Sequence, residues 1–392
     1  MRRIKAYRRK ITLKKKIMTA AVITLISLIS GCYPSGKESA PNESSAENIG
    51  VYSSTDSGSP EDGEQTVILP ENLSFEIEPP ESIPTELPEI TLTLKRWNKD
   101  EIERIFLDGK EIEEERVSDC DFFPDEKMYV YDTQDQLRVV FEPGRVSFND
   151  KGALGGEFKY GTVRHLGDKL YASDEDLSAF SQEDARNRVE AVLQKLEISN
   201  YGEPIIVPIT ADFANEAMAS RDGWYGDDFH YTPWTADEEI YVMYYPLVYE
   251  GVELAQNNFP FENKEWAAGG TKITAVVSKN KIVTIEALDV YSESYNSSDK
   301  VGINYDFKSA LNELKKYYSN LVSQHPTTFT KGKPVYVPYD SIDNSTIIFK
   351  PAWEFAGYSD WSEVSSSFPP LIDNVEYVYA DTGKCVDKAY GG

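Results

Sequence analysis

The chain is poor in the residues that most catalytic and metal chemistry needs. It holds three histidines, His165, His230 and His325, and three cysteines, Cys32, Cys120 and Cys385. The histidines are far apart and none has a second ligand at helical spacing, which excludes the compact zinc motifs. There is no Gly-x-Ser-x-Gly elbow, no His-Glu-x-x-His pair, no phosphate-cradling glycine loop and no EF-hand calcium loop. The run Gly152 to Gly156 lacks nucleotide-loop spacing and reads as a turn. No cofactor is expected. Basic residues are also scarce, 40 Lys and Arg against 66 Asp and Glu, for a net charge of −26. That surface repels phosphate backbones, so nucleic acid and teichoic acid are excluded as partners. Cations, basic peptides and neutral glycans remain compatible.

Long apolar runs are rare too. The stretch Ile17 to Ile29 is shorter than the roughly 20 residues that span a bilayer. It follows a basic segment, Arg2 to Lys16, and precedes Ile29-Ser30-Gly31-Cys32. This order reads as an export signal over residues 1–31 ending in a lipidation site at Cys32. Two acyl chains there would hold the protein on the membrane, since a single chain binds only marginally and reversibly. The expected location is the extracytoplasmic face of a bacterial membrane. Residues 32–70, rich in Ser, Glu, Pro, Gly and Asn, read as a disordered tether. The proline-rich acidic segment Glu76 to Glu89 reads as an extended strip on the domain surface. With Cys32 acylated, Cys120 and Cys385 remain as an even pair outside the cytoplasm, either bridged or as two partly buried thiols.

Three helices are predicted, each followed by strands. Asn98 with Glu101 caps the first, and Trp97 with Ile102 forms a hydrophobic staple. Ser181 with Asp184 opens the second, whose apolar face is Ala185, Val189, Val192, Leu193 and Leu196. The third follows Asp306, with Phe307, Leu311, Leu314, Tyr318 and Leu321 on one side. Hairpins are predicted at Pro143-Gly144, at Lys279-Asn280 and at Asp381-Thr382-Gly383. The expectation is an α+β protein of two or three pseudo-repeated units after the tether, each one helix on an antiparallel sheet (αβββ-like). The unit bounds are 71–175, 176–300 and 301–392.

Two segments, Tyr244-Tyr245-Pro246-Leu247-Val248-Tyr249-Glu250-Gly251-Val252 and Tyr377-Val378-Tyr379-Ala380-Asp381-Thr382-Gly383-Lys384, resemble the ends of PepSY-type modules. The run Lys350-Pro351-Ala352-Trp353-Glu354-Phe355 is similar to a strand of YycH/YycI-type extracytoplasmic regulators. The resemblance covers residues 180 to 392 and departs at Ser278-Lys279-Asn280, where the Asp-x-x-Thr-Gly turn is missing. It implies a non-catalytic binding or inhibitory module, from families some of whose members regulate membrane sensor kinases.

Within the body, the segment Asp222 to Trp234 draws attention. Trp224, Tyr225, Phe229, Tyr231 and Trp234 stand among Asp222, Asp227 and Asp228. Aromatic faces stack on sugar rings or cationic side chains, and carboxylates accept from hydroxyl or ammonium groups. Trp224, Tyr225, Asp227, Asp228, Tyr231 and Trp234 are therefore the candidate ligand-binding residues, for a glycan or a basic peptide. The same aspartates could hold calcium, and the competing expectation is a loop whose aromatics pack on the sheet below. The leading function is a non-enzymatic binding or regulatory module that engages a membrane or wall protein. The alternatives are a cell-wall glycan or peptide hydrolase with an unlocated carboxylate pair, and a solute-binding lipoprotein. Substitution Cys32→Ala is expected to abolish acylation and leave an unprocessed precursor. Metabolic labelling with a fatty-acid analogue checks this, and undiminished labelling overturns the lipid anchor.

Overall fold

Period-two alternation of apolar residues recurs along the chain beyond residue 85 and is realised as strands, as in Leu137–Glu142 and Thr346–Asp360. The computed structural model describes residues 69–120, 123–150, 152, 166, 169–219, 232–260, 267–269, 271–292, 295–319, 325–360, 362 and 371–386. All of these belong to one compact unit, residues 66–390. In chain order the strands begin with β1 (Leu73–Phe75), β2 (Glu86–Thr93), β3 (Ile112–Cys120), β4 (Phe123–Thr133), β5 (Leu137–Glu142) and β6 (Arg145–Asp150). They continue with β7 (Ile205–Ile209), β8 (Ile240–Tyr245), β9 (Val248–Tyr249), β10 (Val252–Leu254), β11 (Asn258–Pro260) and β12 (Ala267–Gly269). The last are β13 (Lys272–Ser278), β14 (Ile282–Leu288), β15 (Asn296–Gly302), β16 (Thr327–Ser341), β17 (Thr346–Asp360) and β18 (Leu371–Tyr379). Four α-helices are described: α1 (Lys99–Phe106), α2 (Gln182–Lys195), α3 (Ala211–Ala219) and α4 (Phe307–Ser319).

Three helices start where their caps require. The side chains of Asn98, Ser181 and Asp306 accept from the backbone N–H of Glu101, Asp184 and Ser309, at 3.3, 3.0 and 2.8 Å. The strands, however, do not gather into units behind each helix. Sixteen of them form two eight-stranded sheets, and β11 and β12 pair as a separate two-stranded one. The first is ordered β15-β2-β17-β16-β10-β9, with β1 also on β16 and β18 also on β17. The second is β3-β4-β5-β6-β14-β13-β8-β7, antiparallel throughout.

The α+β reading with αβββ repeats is therefore corrected: the protein is mostly β, and its sheets draw strands from the whole chain. The physical reason is edge satisfaction. A local hairpin leaves two open edges, and here they are closed by distant strands. Strand β6 pairs with β14, and β2 pairs with both β15 and β17. The end of the expected surface strip, Glu86 to Glu89, instead begins β2, a strand with neighbours on both sides.

The first sheet is built on the β16–β17 hairpin, fifteen residues in each strand. On β17, Trp353 and Phe355 point to one face and pack with Phe307, Leu314 and Tyr318 of α4. The Trp353 indole donates to the Tyr305 carbonyl at 2.8 Å, so its buried N–H is satisfied. Glu354, Ala356 and Tyr358 alternate to the opposite face. On the second sheet, Tyr241, Met243 and Tyr245 of β8 face the large core with α2, while Ile240 and Val242 face a smaller cluster with α3. Pro334 lies on β16 between the stretches paired with β1 and β10. A missing N–H is tolerated there because no named strand pairs with that part of the edge.

The two long strands leave no room for a side chain at Gly357. A Cβ there would overlap the Thr328 carbonyl oxygen and stand 2.6 Å from the Phe329 Cα, next to a bulge between Phe329 and Lys331. Gly357→Ala is thus expected to cost about 3 kcal/mol, because backbone on both sides must shift. Urea unfolding measures it, and a loss below a few tenths of a kcal/mol would show that the strands can separate without penalty.

Candidate functional site

The face of the first sheet opposite α4 forms the floor of a cleft of about 1790 Å³. Its floor is set by cross-strand register. Lys333, Glu354 and Tyr377 stand in one row across β16, β17 and β18, and Lys331, Ala356 and Val375 in the next. Tyr358 and Asp373 make a third row. The opposite wall comes from the second sheet and its approaches: Ile205 and Ile206 of β7, Tyr244 of β8, Lys272 of β13, Arg186 of α2 and Lys169 of a single 3-10 turn, Lys169–Tyr171. Glu253 of β10, with Gln256 and Asn257 beyond it, closes one end.

The polar groups here hold one another in place. The Lys333 ammonium bonds Glu253 and lies 3.6 Å from Glu354. Burial pulls the Lys333 pKa down, but the charges of Glu354 and Glu253 more than offset this, and it stands above the ordinary lysine value. The Tyr377 hydroxyl donates to Asn257 at 2.6 Å, and burial sets its pKa well above the ordinary value. Across the cleft Arg186 pairs with Glu190 at 2.6 Å and Glu203 at 2.5 Å.

Lys169 is different. Its ammonium donates to the neutral amide oxygen of Gln256 and lies 5.2 Å from the centre of the Tyr244 ring. Among the described residues no carboxylate is within ion-pair distance of it. Burial lowers its pKa. The more distant charges of Asp373 and Glu354 oppose that shift, and those of Lys333 and Lys272 reinforce it. Such a site suits noncovalent recognition of a group that brings its own charge. Among the described residues no cluster of three or more His, Cys, Asp and Glu could hold a metal ion.

The residues singled out from sequence are not those of this cleft. Cys32, Trp224, Tyr225, Asp227, Asp228 and Tyr231, with Asp222 and Phe229, lie outside the described residues. Trp234 is a core residue, 4% exposed, packed with Val207, Ile209, Ala214, Ala217 and Ile240. Its backbone is clamped by the Asn215 side chain, which accepts from the Trp234 N–H at 2.7 Å and donates to its carbonyl at 3.0 Å. As a ligand contact it is corrected, because the ring is needed between α3 and the second sheet. No disulfide joins Cys120 and Cys385. The buried Cys120 ends β3 in the second sheet and its thiol donates to Glu142 at 3.1 Å, whereas Cys385 bridges Val378 in the first sheet. The cleft residues Lys169, Glu253, Lys272, Lys333, Glu354 and Tyr377 come from separate segments. The one local sign of them is Lys331-Gly332-Lys333, two lysines that share a strand face.

No protein-family model matches the sequence, and no curated protein matches it significantly. Among solved structures the chain is similar to an uncharacterized protein from Eubacterium rectale ATCC 33656. The TM-score is 0.58 at 13% identity, over 82% of this chain and 92% of that one. The likeness is one of fold.

Trp234→Ala is expected to remove about 3–5 kcal/mol of stability, the usual cost of emptying a large aromatic site. Guanidinium unfolding checks it. A variant as stable as the parent would return this ring to the list of surface contacts.

Proposed function

We propose that the chain is a membrane-anchored extracytoplasmic binding protein that seats its ligand in the cleft between the two sheets. The observation that carries this reading is the cleft itself. It is far larger than a packing defect, and charged, amide and aromatic groups from both sheets converge on it. Ile29 to Cys32 supplies the anchor, and residues 32–70 supply the reach toward a partner on the membrane or in the wall. The resemblance of residues 180 to 392 to PepSY-type and YycH/YycI-type modules supports a regulatory rather than a metabolic role.

The competing reading is hydrolysis of wall glycan or peptide. A glycosidase keeps the space between its two carboxylates open for the sugar and, in inverting enzymes, for water. Of the seven carboxylates that line this cleft, Glu253 and Glu354 are directed at the Lys333 ammonium and Glu203 at the Arg186 guanidinium. That arrangement favours a fixed binding surface over an acid–base pair.

Photo-crosslinking on intact cells tests the reading, with the reactive side chain at Tyr358 in the cleft. A specific adduct to a peptide or to a membrane or wall protein is the expected result. Adducts confined to glycan would shift the assignment to a glycan binder. No adduct from Tyr358, nor from a second probe at Lys331, would take the ligand site out of the cleft.

A further inference from the structure

We infer that the cleft recognises the carboxylate of a peptide ligand and that Lys169 is the residue that pairs with it. This rests on the reading of the cleft as the binding site. The first argument is donor count. An ammonium carries three donors, and Lys169 uses one on Gln256 while the Tyr244 ring covers another side. At least one N–H is left for a ligand.

The second argument is charge distribution. In a chain with 66 acidic and 40 basic residues, lysines readily meet carboxylates, as Lys99, Lys281, Lys333 and Lys350 do. Yet Lys169, Lys272 and Lys331 all line this cleft, and none has a carboxylate at ion-pair distance among the described residues. Lys333 and Lys272 disfavour the charge on Lys169, while Asp373 and Glu354 favour it more strongly from beyond ion-pair distance, so what Lys169 lacks among the described residues is a direct charged partner.

The third argument separates a carboxylate from a phosphate. Glu253, Glu354 and Asp373 are among seven carboxylates that line the same cleft. Their field repels a dianion or a polyanion, while a single carboxylate placed on Lys169 is tolerated. The strip formed by Ala356, Val375 and Tyr358 beside them accepts an apolar side chain, and the flanking carboxylates accept from backbone N–H groups. One negative end, an apolar body and N–H donors together describe the C-terminal end of a peptide.

Competitive acetylation of the full chain tests this, with the modification of each lysine followed by mass spectrometry. The probes are a mixed-sequence tetrapeptide library as free acids, the same library as C-terminal amides, and inorganic phosphate. The free acids are expected to slow acetylation of Lys169 by about tenfold or more, the scale of one charge-assisted hydrogen bond, with little effect from the amides or phosphate. Lys169→Met is expected to lose retention of the free acids while keeping the parent's melting temperature within a few degrees. The labelling of the unmodified chain stands by itself if that variant does not fold. Equal protection by acids and amides overturns the carboxylate assignment and leaves the cleft as a peptide site. Protection by phosphate equal to that by the acids also overturns it, in favour of a general anion site. No protection of Lys169, Lys272 or Lys331 by either library overturns both the assignment and the cleft reading.

Discussion

The antiparallel pairing of β16 with β17 is the constraint on which the rest of the structure depends. Every other strand of the first sheet is attached to this hairpin directly or through one neighbour. One face carries Trp353 and Phe355 under α4, each fully buried ring contributing about 1.5–3 kcal/mol or more. The other face, because side chains alternate, has to present Lys331, Lys333, Glu354 and Tyr358 to whatever lies opposite. What lies opposite is the second sheet. The cleft therefore follows from a long strand pair that is packed on one side and polar over part of the other.

This origin explains the chemistry of the site. Strand register places Lys333 beside Glu354 and Glu354 beside Tyr377, so this row of the floor is internally compensated, whereas, among the described residues, Lys331 in the next row is not. On the wall, Arg186 is held by Glu190 and Glu203, and Lys169 by no carboxylate among the described residues. Lys169 reaches over from a 3-10 turn in a connection, where no register supplies a carboxylate, and it settles for an amide and an aromatic ring.

Local physics was legible in the sequence. The caps at Asn98, Ser181 and Asp306 and the hairpins β5–β6 and β13–β14 follow from side-chain hydrogen bonds and turn residues within a few positions of one another. Helix α3 was not anticipated, since the nine residues Ala211 to Ala219 bury mainly the small side chains of Ala214 and Ala217, with Met218, and lack a capping box. Sheet partners were illegible for a different reason. Nothing local to β6 distinguishes β14 from any other apolar strand, and repeats were inferred where the chain only reuses the same local grammar. The site was hidden similarly. The cluster of aromatics ending at Trp234 stood out by composition, and composition cannot tell a ring that fills a core from one that meets a ligand. Lysines scattered over 160 residues and more carry no pattern until register brings them together.

The threading of β2 has a consequence for how the molecule is assembled. Thr93 at the end of β2 and Thr346 at the start of β17 are 253 residues apart and face each other across the sheet. A chain emerging N-terminus first carries β1 and β2 for about two hundred residues or more before their first partners, β16 and β15, exist. Contacts so distant in sequence form late and slowly. Throughout that interval β2 is an apolar edge with nothing to pair with, the situation that invites mispairing between chains. The residues around it suit that wait. Pro79, Pro80, Pro84 and Pro88 remove donors, and Glu76, Glu78, Glu81, Glu86 and Glu89 add repulsion. The acidic prolines of this segment thus act before the fold exists, as gatekeepers of a strand that has to be patient.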